Sequence, residues 1–212
     1  MSDHDGSQDH ATPSRGDPQS LIPWARRLYE QGKTREQVVR EIYGVDFPAE
    51  VYLLRDSDGP YLPLRWLNQP WRIMTPLEQG GPEVIVNPWS DRKLINAYAQ
   101  APHVALLMVL REGDATHGDS VIGYDLDELR AGRSTVVGLL DQVEVPESGA
   151  EFQGFGPSLL QVLHEWLTDQ HRLLTRRLTL ESNRGAGSIT DEDVEEAAQR
   201  IRFIEGLQEQ LE

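Results

Sequence analysis

Four residues within eight positions have the right types for chemistry: Glu112, Asp114, His117 and Asp119. Carboxylate oxygens and an imidazole nitrogen are the donors of a divalent-metal site. His117 and Asp119 share one face if both lie in a strand, because side chains alternate with a period of two. The surrounding pattern does not complete such a site. There is no HExxH, no second well-placed histidine and no calcium-loop spacing. The plainer expectation is a solvated turn, where Asp and Gly are favoured by backbone geometry. A hydrolase built on Ser120 with His117 or His164 is conceivable on residue type. It lacks the GxSxG elbow and any readable oxyanion motif. Neither a metal nor an organic cofactor is expected.

The four residues sit between two apolar runs, His103–Leu110 and Thr135–Leu140. The first is nearly continuous hydrophobe, as in a strand covered on both faces. SVIGYDL, from Ser120 to Leu126, reads as its returning partner. ELRAGR is a helical turn or loop, and Ser134–Leu140 a third strand. With the short VIV strand at Val84–Val86 these make a small antiparallel sheet.

Short helices precede the sheet. Ser20 is a candidate cap for the first, with Pro23 in its first turn and Gly32 as its stop. Thr34 and Gln37 form a capping-box pattern for the second, with Val38, Val39 and Ile42 facing inward and Gly44 ending it. Asp46 is the candidate cap of the third, whose buried side is Val51, Leu53 and Leu54. From Gly59 to Pro88 six prolines predict short extended pieces. Trp66, Trp71 and Trp89 in or beside that stretch are expected to line the core or a groove. Ser90 or Asp91 caps a helix through Leu94, Ile95, Ala97 and Tyr98.

Beyond an acidic connection, Asp141–Gly156, the strongest helical pattern begins at Ser158. Leu159, Leu163, Trp166, Leu167, Leu173 and Leu174 recur at helical spacing. A histidine beside such a stripe, His164, is expected to be structural. A last helix capped by Thr190 opens with Asp191, Glu192 and Asp193, which suits the helix macrodipole. Its stripe is Val194, Ala197, Ile201, Ile204 and Leu211. One helix of that length is marginal alone and must dock, on its own domain, on another copy or on a partner.

The organisation expected is therefore a disordered acidic tail (1–19), an α+β domain (20–178), a Gly-rich linker (179–189) and an amphipathic helix (190–212). The fold class is α+β: a central, mainly antiparallel sheet flanked by short N-terminal helices and a long C-terminal helix pair. The 212 residues suffice for one domain with appendages.

Charge narrows the partners. The formal net charge is −15 and no basic stripe exists, which argues against nucleic acid or an anionic membrane. A basic protein would be drawn in instead. No apolar run reaches the roughly 20 residues a spanning helix needs. The first residues lack the apolar core of a signal peptide. The absence of cysteine removes disulfides, thiolate zinc sites and cysteine nucleophiles, and fits a reducing cytoplasm.

Several phrases together resemble the SUKH superfamily. They are Gly44-Val45-Asp46-Phe47-Pro48-Ala49-Glu50-Val51-Tyr52-Leu53-Leu54, the turns Gly113-Asp114 and Gly118-Asp119, and Tyr124-Asp125-Leu126. The closing strand Thr135–Leu140 and helix Ser158–Leu167 are similar as well. The resemblance spans roughly Leu21 to Leu174. Phe47 stands where the family usually has Leu, Asp58-Gly59 replaces its Asn-Gly, and the last helix is additional. It implies an α+β fold with a central sheet and a protein-binding role, typically that of an immunity protein neutralising a bacterial toxin. No catalytic residues carry over. In that light Glu112, Asp114, His117 and Asp119 form a candidate partner-binding edge, and a basic toxin domain is the implied partner. The competing expectations are a metal-dependent hydrolase using Asp114, His117 and Asp119, and an assembly protein that self-associates through 190–212.

Overall fold

The computed structural model describes residues 17–83, 101–110, 120–140, 152–182 and 189–212. The VIV strand, the helix from Ser90 and Trp89 lie outside them. Among the described residues the fold is α+β, with seven α-helices and a five-stranded antiparallel sheet.

The N-terminal helices follow their capping chemistry, with two corrections. Helix α1 is Pro18–Glu30 and its cap is Asp17, not Ser20. Asp17 accepts from the Gln19 N–H at 3.1 Å, and the Ser20 hydroxyl donates to the same carboxylate at 2.6 Å. Pro18 then occupies the first turn, where its missing N–H costs nothing. Helix α2, Arg35–Tyr43, carries the Thr34–Gln37 capping box and ends at Gly44 with φ 72°. Helix α3, Ala49–Asp56, has no side-chain cap, because Asp46 is taken by Arg40 in a two-pronged pair at 2.6 and 2.7 Å. Its buried side holds Val51, Leu54 and, unexpectedly, Glu50.

The proline-broken stretch is less extended than its prolines predict. It yields one short strand, β1 Leu64–Trp66, then helix α4, Asn68–Ile73, and a 3-10 turn at Leu77–Gln79. Pro70 lies in the first turn of α4, where backbone N–H groups have no intrahelical partner in any case.

The sheet runs in sequence order: β1, β2 Val104–Leu110, β3 Ser120–Asp125, β4 Val136–Leu140 and β5 Gln153–Gly156. Every residue of β2 is buried. A bulge explains how it serves both faces. Leu106 pairs with Gly123 and Met108 with Ile122, leaving Leu107 as the extra residue. Leu107 and Met108 consequently both join the main core, while Leu106 and Val109 join a smaller cluster with Leu67, Val104 and Val137. The Leu107 carbonyl is not left open, since Leu67 donates its N–H to it at 2.9 Å. Gly123 is required opposite the bulge, because a Cβ there would overlap the Ala105 carbonyl oxygen.

Helix α5, Leu126–Arg130, connects β3 to β4 and is capped by Asp125 through the Asp127 and Glu128 N–H groups. The main core is formed by one sheet face, α1 to α4, the first third of α6 (Leu159–Ser182) and the later part of α7 (Asp191–Glu209). Helix α6 runs to Ser182, so 179–182 are helical rather than linker.

The last helix docks on its own domain. Ala197, Ile204 and Leu207 are buried, while Leu211 is 46% exposed, so the stripe steps from Ile204 to Leu207 and not to Leu211. Arg200 donates to the Tyr61 carbonyl at 2.8 Å, and His164 of α6 meets Glu205 at 3.2 Å. Phe203 lies against Gly59, where any side chain would strike its ring.

Candidate functional site

The residues singled out from the sequence, Glu112, Asp114, His117 and Asp119, lie outside the described residues. Their two anchors are described. Leu110 and Ser120 are directly opposed at the end of the β2–β3 ladder. Ser120 is also paired with Leu140 of β4 and is only 2% exposed, so its hydroxyl is not presented to a substrate. His164, the other histidine considered for nucleophilic work, is engaged by Glu205 and ties α6 to α7. Among the described residues no group of three or more His, Cys, Asp or Glu side chains could hold a metal ion.

The most polar interior point was not foreseen. Glu50, 5% exposed, accepts from the Tyr124 hydroxyl at 2.5 Å and from the N–H groups of Leu159 and Leu160 at 2.8 and 3.1 Å. Ser158 takes the next N–H, that of Gln161, at 3.2 Å. The first three donors of α6 are thus satisfied, and a negative charge sits at the positive end of the helix dipole. Burial first, then the Glu50 charge and its hydrogen bond, hold the Tyr124 hydroxyl well above its ordinary value. The constellation is buried, and both carboxylate oxygens accept hydrogen bonds from within the chain. It binds α3, β3 and α6 together.

A surface cleft of about 450 Å³ opens between the start of α2, the end of α3 and the 3-10 turn. Tyr29, Arg35, Asp56 and Leu77 are among its lining residues. Several of its charges are matched within the chain. Asp56 receives Arg35 at 2.6 Å and Arg55 at 2.8 Å, and the Arg35 guanidinium also lies over the Tyr52 ring. Arg55 lies 4.5 Å over Trp71, donates to Thr75, and is almost wholly buried. Trp66 and Trp71 pack with ring centres 5.8 Å apart, the core-and-groove role their size predicts. The Thr34 hydroxyl, at the cleft edge, is committed to the α2 cap.

What remains open is the outer side of the C-terminal helix pair. Residues 189–212 carry eight acidic and two basic side chains, and all eight carboxylates are exposed. At about 100° per residue, Asp191, Glu192, Glu195 and Glu209 lie away from the docked edge that Ala197, Ile204 and Leu207 mark, while Glu205 meets His164 of α6. Thr190 and Asp193 close a reciprocal capping box at its start, which lowers the Asp193 carboxyl through backbone and hydroxyl hydrogen bonds from Thr190. Arg200 and Arg202 are spanned by Glu196 and Glu195 at 3.0 and 2.6 Å. The helix therefore presents a strongly negative rim. The sequence holds the signal for it, since Asp191, Glu192, Asp193, Glu195 and Glu196 are nearly consecutive, but their exposure depends on which edge of α7 docks.

No family model, no curated protein and no solved structure matches this chain. No helix among the described residues is long and apolar enough to cross a membrane.

Proposed function

We propose that this chain is a non-catalytic protein-binding module that captures a basic partner through the acidic outer side of α7. The observation that carries this reading is the placement of charge. Seven exposed carboxylates against two arginines lie on one docked helix, in a chain whose total is −15. Such a surface speeds encounter with a positive one and disfavours acidic competitors. The phrases resembling SUKH proteins support the same role and suggest a toxin domain as the basic partner. A cytoplasmic location goes with that reading. The Glu112, Asp114, His117 and Asp119 turn is a second candidate contact, proposed on its sequence alone.

The test is calorimetry between the full chain and the toxin-like product encoded beside its gene, at low and raised salt. A stoichiometric complex that weakens with salt is expected, and Glu192→Lys with Glu209→Lys should slow its association by roughly tenfold or more. Reversal at Asp114 and Asp119 reads the contribution of the turn separately. No complex, or one indifferent to salt and to the α7 reversals, sinks the proposal.

A further inference from the structure

The cleft beside the start of α2 has one lining charge left over. Part of its wall is the turn that follows α4. Pro76 opens that turn, and Gly80 and Gly81 close it at φ 100° and 74°, values that a side chain would strain. The Gly81 N–H returns to the Pro76 carbonyl at 2.9 Å, and Leu77 packs where a Gly81 side chain would stand. Arg26 of α1 adds a bond to the Pro82 carbonyl at 3.4 Å. Leu77, Glu78 and Gln79 therefore line the cleft from a backbone held on several sides. The rest of the lining is Tyr29, Asp56 and the chain from Gly32 to Glu36.

Charge decides what can enter. Lys33 is taken by Glu41 at 2.6 Å. Arg35 lies between Asp56 at 2.6 Å and Glu36 at 3.5 Å, and Asp56 holds Arg55 as well. Glu78 is the lining charge whose side chain has no ion pair or hydrogen bond among the described residues. Its charge also acts on the Tyr29 hydroxyl, in the same direction as burial, which places the two on one cleft. An anion would meet Glu78 and find Lys33 and Arg35 engaged. A divalent metal lacks donors, since among the described residues no group of three or more His, Cys, Asp or Glu side chains could hold one. A single positive charge is what Glu78 matches. Leu77 beside it is 36% exposed and Pro76 partly so, which offers apolar surface to a stem. The volume, about 450 Å³, falls within the roughly 300–1,000 Å³ of small-ligand sites.

We infer that this cleft binds an organic cation of single charge, with a guanidinium or ammonium group on Glu78 and its apolar stem against Leu77 and Pro76. The stem is essential, because a charge paired with an exposed carboxylate gains little in water by itself. The cleft shares no residue with α7, so the inference and the capture of a basic partner through α7 stand or fall separately.

The experiment is NMR titration of the full chain with four probes: N-acetyl-arginine amide, butylammonium, methylammonium and the neutral N-acetyl-norleucine amide. Saturable shifts of the Gly32, Leu77, Gln79 and Gly80 amides are expected with the first two. Methylammonium has the charge without the stem, and the norleucine probe the stem without the charge, so neither should saturate. Glu78→Gln should weaken binding by about two- to fivefold, the scale of an exposed ion pair. Glu83→Gln removes an exposed charge outside the lining and should change nothing. Tighter binding of the capped arginine than of butylammonium assigns the cleft to a protein side chain, and the reverse assigns it to a free amine. The inference is overturned by the absence of saturable shifts, by equal binding of methylammonium or the norleucine probe, or by a Glu78→Gln chain that binds as the wild type does. Equal weakening by Glu83→Gln also overturns it, since that is attraction to net charge and not to a site.

Discussion

The Tyr124 hydroxyl donates to the Glu50 carboxylate at 2.5 Å across 74 residues of chain. That carboxylate also caps α6, so one side chain of α3 ties the sheet to the longest helix. Removing it leaves a buried hydroxyl and two helix N–H groups without an acceptor. Hydrogen bonds to a charged acceptor contribute about 1.5–3 kcal/mol each, and unmet buried donors cost on the same scale. Glu50→Ala should therefore lower unfolding stability by roughly 3 kcal/mol or more. Tyr124→Phe, which spares both helix donors, should cost only about 1–2 kcal/mol. Urea unfolding of the three chains checks the order, and equal losses would show that the helix-capping bonds contribute little.

Alkaline pH should destabilise the fold through tyrosine. Tyr29, Tyr52 and Tyr124 all have hydroxyls raised above the ordinary value, in each case first by burial. A raised folded-state value means that the neutral form is favoured by folding. The associated stability is complete below the unfolded tyrosine value of about 10 and is lost as pH rises past it. The urea midpoint should fall above that pH, with phenolate absorbance appearing together with unfolding. Phenolate signal from all six tyrosines of the chain without loss of structure would contradict the burial.

The bulge in β2 makes Gly123 irreplaceable. Overpacking a tight interior position costs typically 1–3 kcal/mol, and here the obstacle is backbone rather than a movable side chain. Gly123→Ala should cost about 3 kcal/mol or fail to accumulate as soluble protein. Gly154→Ala, where nothing stands within 4 Å of the added carbon, is the matched control and should be nearly silent in thermal unfolding.

At the acid end, Glu128 reports on the β3–β4 connection. Arg133 grips it at 2.6 and 2.7 Å, and Thr135 donates at 3.1 Å. The Arg133 hydrogen bonds, followed by that of Thr135, bring its carboxyl down to about 2. A depressed folded-state value contributes stability above the unfolded value of about 4.3 that is lost as pH falls through the folded one. Carboxyl-resolved NMR titration should place Glu128 near 2. Arg133→Gln should return it toward about 4.3. An unmoved titration would mean that the pair is not formed in solution.

Local chemistry was legible wherever one turn of chain decides the outcome. The Thr34 capping box, the Thr190 cap, the Gly44 stop and the fully buried β2 follow from neighbours three or four residues apart or from an unbroken apolar run. Where two local solutions compete, the pattern misled. Asp17 with Pro18 displaced Ser20 as the cap of α1, and Arg40 drew Asp46 away from α3. Pro70 suggested extension, yet at the third position of a short helix it removes no hydrogen bond that the helix would have made. The proposed acidic turn lies outside the described residues, and its role rests on sequence.

The sequence alone determined an α+β chain with a sheet at Val104–Leu140, an acidic balance and a helical C-terminal pair. Its periodicities of two and near 3.6 record which faces are apolar, and that is local information. Only the tertiary structure decided that Glu50 is interior, that Leu207 rather than Leu211 docks, and that Leu173 and Leu180 stay uncovered. A glutamate at helical spacing looks solvated until Tyr124 and the start of α6 arrive from 74 and 109 residues away. Leucines at helical spacing likewise look like core, yet Leu173 and Leu180 are exposed among the described residues. Both depend on which distant surfaces meet, and no window of neighbouring residues contains that.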